Sequence, residues 1–183
     1  WQQRLFLAAF FGAELSSPTA FDRANRNFMC PVLVVVKREG FVESGVRFLG
    51  DLARLLEPFG VTSLTVSRRE EQLNPDGRRS IRLRLVISSR DENLIRLWSR
   101  IGFEYNAKRS WLAAEATAYL QGKQAWIRTR ERLATRVLEL RAIAGWGAKK
   151  IHAALASEGA SLPLHFVQRT IHENPERKLR GAG

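Results

Sequence analysis

The chain has 183 residues, a formal net charge of +12 and 45% hydrophobic residues, enough to form one medium domain or two small ones. No apolar stretch is long enough to span a bilayer, and the single cysteine, Cys30, excludes an internal disulfide and a cysteine-rich zinc site. We expect Cys30 to be a small core residue in an intracellular protein, cytoplasmic and associated with the nucleoid. The charge favours a polyanionic partner, the alternative being a generic basic surface.

The first predicted element is an almost wholly apolar helix, residues 5–15, which carries one carboxylate, Glu14, at its end. Small residues at Ala8, Ala9 and Gly12 would let the backbone of a second helix come close. Glu14 would then lie where the two helices diverge. Two such carboxylates, one from each helix, would form a site of oxygen ligands suited to Mg²⁺.

The next elements alternate between strand and helix periodicity. Residues 19–28 are a possible first strand, and residues 31–37 form a β-branched strand. Residues 43–58 have helical period, as do residues 91–101. Between these helices, the turn signal Asn-Pro-Asp-Gly at 74–77 predicts a hairpin that joins a strand around 64–67 to one at 81–87.

Residues 7–15, Leu-Ala-Ala-Phe-Phe-Gly-Ala-Glu-Leu, align position for position with the LAGLIDADG motif of homing endonucleases. Residues 97–109 resemble the segment that closes an endonuclease repeat in archaeal inteins. The resemblance covers residues 3–122 and implies an α+β half-unit of order α-ββ-α-ββ-α, with an antiparallel sheet and helices on one face. Two positions depart from the motif: Gly12 replaces a residue that is often acidic, and Leu15 replaces the final glycine.

The resemblance also implies a catalytic site. The acid at the eighth motif position binds the catalytic metal in this family, which makes Glu14 the expected catalytic residue and Mg²⁺ ligand. One of Lys37, Arg38 and Arg90 would stabilise the pentavalent phosphate. Because the chain holds one motif, a second repeat would come from a homodimer or from a segment upstream of Trp1. The expected helix-to-helix interface comprises Leu7, Ala8, Phe11 and Gly12.

Basic residues cluster on the predicted hairpin. In residues 81–87, apolar side chains alternate with Arg82 and Arg84, so one strand face is expected to be apolar and the other basic. A twisted sheet with a basic face can follow the DNA groove and its phosphates. The predicted contacts to double-stranded DNA, with RNA as a possible alternative, are Lys37, Arg38, Arg68, Arg69, Arg82 and Arg84.

Residues 123–183 are predicted to form a second, helical domain with a basic tail, separated from residues 1–122 by a helix break at Gly122. Helices ending at Ala144, spanning 148–156 and spanning 164–173 are typical of a helix-turn-helix module. Lys149 and Lys150 would contact phosphates, and His165, Gln168 and Arg169 would read base edges. The segment from residue 121 onward holds twelve Lys or Arg and five acidic residues, which gives it +7 of the total charge.

Two functions are compatible with these patterns. The first is a site-specific double-strand DNA endonuclease of the homing type that hydrolyses phosphodiesters with Mg²⁺. The second keeps the fold without catalysis, as a nucleic-acid-binding regulator or ribonucleoprotein component, and is favoured by Gly12 and Leu15. A structural protein that uses the apolar helix only to dimerise is a third possibility, which the basic strand face argues against.

Overall fold

A computed structural model of the chain describes residues 1–21 and 27–173. The chain divides into two compact units, Trp1–Gln121 and Gly122–Gly183, a division one residue away from the predicted boundary. The described part is α+β, as the sequence predicts, with six α-helices and one small antiparallel sheet. None of the helices described is both long and apolar enough to cross a membrane.

The elements of the first unit follow the predicted order after the first strand. They are α1 (Gln2–Glu14), β1 (Val32–Arg38), α2 (Val42–Leu56), β2 (Ser67–Leu73), β3 (Arg79–Val86) and α3 (Asp91–Arg96), which continues as a π-helical turn over Leu97–Ile101, and then α4 begins at Ala107. In the possible first strand, Ala20 and Phe28 form an isolated bridge, and residues 22–26 lie outside the described residues.

The sheet has the strand order β1-β3-β2 with both pairings antiparallel. The predicted hairpin is confirmed, although its first strand lies later than expected, at Ser67–Leu73 instead of 64–67. Gly77 has a φ of 75°, the left-handed conformation that its place in the turn requires. Before β2, residues 62–64 also pair with the chain after β3, through backbone bonds from the Leu64 amide to the Val86 carbonyl at 2.7 Å and from the Ser88 amide to the Thr62 carbonyl at 3.1 Å.

The core of the first unit lies between the sheet and its helices. The predicted alternation on β3 is confirmed: Leu83 and Leu85 are fully buried against the helices, whereas Arg82 points to the opposite face. Asn93 is a buried polar residue in this core, and its amide donates to the carbonyls of Thr62 and Ser88 and accepts from the Thr62 amide. These bonds fix the start of α3 against the loop that precedes β2.

The second unit contains the end of α4 and two further helices, α5 (Ala148–Ser157) and α6 (Leu164–His172). The expected break at Gly122 is wrong, because α4 runs without interruption from Ala107 to Ala144. A glycine inside a helix costs about 1 kcal/mol relative to alanine, which a helix of this length tolerates. A second, smaller core forms around Val137, Ile151, Leu155, Phe166 and Val167.

Candidate metal and nucleic-acid sites

Glu14 is the last residue of α1, and its side chain is exposed. It makes no hydrogen bond or ion pair with any residue of the described chain. The C-terminal end of a helix carries a partial negative charge, so the carboxylate and the helix end both favour a cation there. An unpaired carboxylate in this position is therefore available as a metal ligand.

The residues predicted to contact a second helix are used inside the unit instead. Leu7, Ala8 and Phe11 are fully buried in the core of their own unit, and Gly12 is buried beside them. Ala8 accepts a backbone bond from the Glu104 amide at 2.9 Å, and a Cβ on Gly12 would lie only 2.0 Å from the Glu104 carbonyl oxygen. These small residues make room for the loop after α3, which corrects the predicted interface.

A different face of α1 is only partly covered by the core. Phe6 is exposed, Ala9 and Phe10 are half-buried, and Ala13 is exposed. The Phe6 and Phe10 rings stack with their centroids 6.1 Å apart, and Phe10 also meets Phe48 of α2 edge to face. The two alanines, four residues apart, form a small-residue stripe on this face that leads toward Glu14.

Two residues from the start of α4 hold the C-terminal end of α1. The Arg109 guanidinium donates to the carbonyls of Phe11 at 3.0 Å and Gly12 at 2.9 Å, and the Asn106 amide donates to Gly12 at 2.8 Å. Tyr105, the residue before Asn106, has a left-handed φ of 57°. Sequence reasoning missed Arg109 as the cation beside the Glu14 helix end, although it lies in the segment that resembles the close of an endonuclease repeat.

At the end of α1 the described chain offers Mg²⁺ one carboxylate ligand, Glu14. No group of three His, Cys, Asp or Glu side chains that could hold a metal occurs within residues 1–21 and 27–173. Mg²⁺ in phosphoryl-transfer sites typically uses one or two carboxylates, with water and phosphate oxygens completing the shell. Glu14 supplies one such carboxylate, and a second copy of the chain would supply the other.

The open face of the sheet, on the side away from α2, forms a broad groove of about 1100 Å³. In the register, Arg84 lies between Val34 and Ser67, and Arg82 lies between Val36 and Arg69. The described residues that line the groove include three arginines and no acidic residue. Cys30 is exposed and lines this groove, so the expectation of a core cysteine is wrong.

Not all of the predicted basic contacts lie on this face. Arg68 pairs in register with Leu83 on the helix side and forms an ion pair with Glu43 of α2. Lys37 is also on the helix side, with its side chain against Gly45. Arg38, the next residue of β1, lies on the open face and forms an ion pair with Asp76 at 3.4 Å. Of the predicted contacts on β1, β2 and β3, Arg38, Arg69, Arg82 and Arg84 therefore lie on the open face, while Arg90 is exposed before α3.

In the second unit, the residues predicted to contact DNA are on the surface. His165, Gln168 and Arg169 are exposed on α6, and Arg169 forms an ion pair with Glu173. Lys149 and Lys150 are exposed on α5, and the Lys150 ammonium lies 4.4 Å from the centroid of the Trp146 ring.

Arg136 of α4 forms an ion pair with Glu158, in the turn after α5. Hydrogen bonds to Glu158, and then to Glu139, raise the pKa of the Arg136 side chain, which keeps it charged at any ordinary pH. Its bond to Glu158 measures 3.1 Å. His152 makes a separate link, because its Nε2 lies 2.8 Å from the Leu162 carbonyl oxygen ahead of α6.

Comparisons with known proteins give distant similarities. The chain is 28% identical over 181 residues to the tRNA-splicing ligase RtcB of Pyrococcus furiosus and 26% identical to that of Methanopyrus kandleri, covering 98% of this chain and 17% of each ligase. It is 30% identical over 125 residues to the DNA-directed RNA polymerase subunit Rpo1N of Methanocaldococcus jannaschii, covering 68% of this chain and 9% of the subunit. No family model matches, nor does any solved structure.

Proposed function

We propose that the chain is a site-specific double-strand DNA endonuclease of the LAGLIDADG type, active when two copies pair through α1. The observation that carries this proposal is the unpaired Glu14 carboxylate at the end of a helix whose exposed face bears Ala9 and Ala13. Small residues four apart allow two helix backbones to approach closely. Pairing along this stripe would bring two Glu14 carboxylates toward each other.

The residues of each copy would perform distinct tasks in hydrolysis. The Glu14 carboxylates would hold Mg²⁺, which when bound lowers the pKa of a bound water and stabilises the charge on the scissile phosphate. Arg109 and Asn106 would keep the end of α1, and hence Glu14, in one position. The open sheet face of each copy would hold one half of the DNA site through Arg69, Arg82 and Arg84.

The comparisons support the proposal that a segment similar to this chain is an element inserted into larger proteins. Two of the relatives are named as tRNA-splicing ligases and the third as a subunit of an RNA polymerase. A segment similar to this chain nevertheless occurs in all three. That segment is less than a fifth of each relative, so it does not account for either named activity. A segment shared by two such different enzymes is expected of an inserted element, and homing endonucleases occur as such elements within inteins.

The experiment that tests this proposal is Mg²⁺-dependent cleavage of a plasmid library of randomised sites, with linear products captured and sequenced. Glu14→Gln keeps the size and hydrogen bonding of the side chain but removes its charge. We expect the variant to lose at least about 100-fold in cleavage rate, as for removal of a catalytic electrostatic group, while its DNA affinity changes by less than about twofold. Glu115→Gln, which alters an exposed carboxylate on α4, is the matched control and should cut normally.

A second function, nucleic-acid binding without cleavage, is favoured by the packing at Gly12. The motif position that is often acidic cannot accept any side chain here, because its Cβ would collide with the Glu104 carbonyl oxygen. A regulator or ribonucleoprotein component would bind DNA or RNA through the same groove. Binding without Mg²⁺-dependent products in either the parent protein or the Glu14→Gln variant would favour this function.

A further inference from the structure

The open face of the sheet carries an unusual apolar row beside its arginines. On an antiparallel sheet, the face away from the helices normally alternates to polar residues. Here β1 presents Val32, Val34 and Val36 on that face, with exposed fractions of 39% for Val34 and 58% for Val36. Three valines on a single solvated strand face form an apolar patch, the kind of surface that marks a binding site.

The valines and arginines are interleaved in one groove. Val34 lies directly opposite Arg84 and Val36 directly opposite Arg82, so each of these exposed valines has a guanidinium on the neighbouring strand. Directly opposed residues of paired strands have Cβ atoms about 5 Å apart. An occupant must therefore offer negative charge and apolar groups within a few ångströms of each other.

Duplex DNA offers this combination in its major groove, where the C5-methyl group of thymine is the one apolar group on the base edges. The groove is about 12 Å wide and admits strands of a β-sheet. Alternate residues of a strand are about 6.8 Å apart, which matches about two base-pair steps of 3.4 Å. The valine row therefore has the spacing of every second base along one DNA strand.

We propose that the valine row reads thymine methyl groups at alternate base pairs of the target half-site, with Arg69, Arg82 and Arg84 holding the adjacent base edges and phosphates. This inference rests on the proposed function only in taking the open face as the DNA-binding surface. It adds a sequence preference: each half-site contains thymines spaced two base pairs apart. RNA is disfavoured, since uracil lacks the methyl group and the major groove of A-form RNA is too narrow for a strand.

The test begins with selection of duplexes from a randomised library in EDTA, which prevents cleavage. The best duplex is then prepared in two forms, one with thymine and one with deoxyuridine at every thymine position, so that only the methyl groups differ. We expect deoxyuridine to weaken binding by at least about tenfold, since each lost methyl contact is worth about fourfold and at least two are lost.

Two variants locate the effect on the sheet. Val34→Ser combined with Val36→Ser removes both methyl groups from each side chain and leaves a small hydroxyl in their place. Because this double variant retains only Val32 of the row, its preference for the thymine duplex should fall well below that of the parent protein. Leu73→Ser, at an apolar residue that is more exposed (68%) and whose register places it on the helix face, should discriminate as strongly as the parent protein.

The outcomes separate this inference from the proposed function. Equal affinity of the parent protein for both duplexes would overturn the thymine reading and leave cleavage by Glu14 unaffected. Discrimination as strong in the double valine variant as in the parent protein would also overturn it, because the methyl groups would then be read elsewhere. Failure to select any duplex, or tighter binding to an RNA stem of the same sequence, would remove both this inference and the endonuclease proposal.

Discussion

Gly12 is the residue on which the packing of α1 depends most directly. A Cβ at this position would lie 2.0 Å from the Glu104 carbonyl oxygen, which belongs to backbone and cannot rotate away. The α1 helix must therefore move if any side chain is introduced. Because Glu14 is one half-turn further along the same helix, displacement of this contact would also displace the candidate metal ligand.

We expect Gly12→Ala to lower the free energy of unfolding by about 3 kcal/mol, the upper range for overpacking of a well-packed core. Chemical denaturation followed by tryptophan fluorescence measures this change. Gly122→Ala is the control, since a Cβ added there would have no neighbouring atom within 4 Å. It should raise stability by up to about 1 kcal/mol through helix propensity. A Gly12→Ala protein as stable as the parent would show that the loop does not pack on α1 in this way.

The tertiary contacts of individual residues on α1 could not be predicted from the sequence. The sequence shows that α1 is apolar, but it does not show which of its small residues contact the loop after α3 and which stay exposed. The partners of Ala8 and Gly12 are about ninety residues away in the chain, and so is Arg109. Local periodicity identifies an apolar helix, whereas only tertiary contacts decide which stripe is left for a partner.

At the scale of elements, strand alternation was the most informative pattern. It predicted the buried and open faces of β3, because a strand with period two and a covered face has one possible orientation. The same alternation places Lys37 and Arg68 on the helix face, but only once the register of their strands is known. Pro75 and Gly77 are enough to predict the hairpin turn, whereas the start of β2 cannot be predicted because Ser67–Leu73 has little apolar alternation.

The arginines on the open face should determine how strongly the affinity for DNA depends on salt. Replacing Arg82 and Arg84 by alanine should weaken DNA binding and reduce the slope of log affinity against log salt by about two, since each lost phosphate contact contributes about one. Fluorescence anisotropy at several salt concentrations measures the slope. Both residues line the groove of the open face.

The control for this experiment is Arg68→Ala. Arg68 is the neighbouring residue of the same hairpin, but it lies on the helix face and forms an ion pair with Glu43. Its removal should leave the salt slope unchanged. A slope that falls equally for Arg68→Ala would mean that general charge, not the open face, attracts the DNA.

At the scale of the whole molecule, two compact units share a basic charge that suits a polyanionic partner. The first unit carries the α1 face, Glu14 and the sheet groove, and the second has a small three-helix core with exposed residues on α5 and α6. One copy offers one unpaired carboxylate at the end of α1. The proposed pair of Glu14 carboxylates therefore requires two copies of the chain on one duplex.

Sedimentation of the chain with a selected duplex, in the presence of Ca²⁺ to prevent turnover, tests this requirement most directly. We predict two 20.8 kDa chains per duplex at saturation. Ala13→Leu, which puts a bulky side chain on the exposed stripe, should leave the fold intact and weaken the two-chain complex at least about tenfold, whereas Ala125→Leu, at an exposed alanine of α4, should not. One chain per duplex at saturation would contradict the paired Glu14 site.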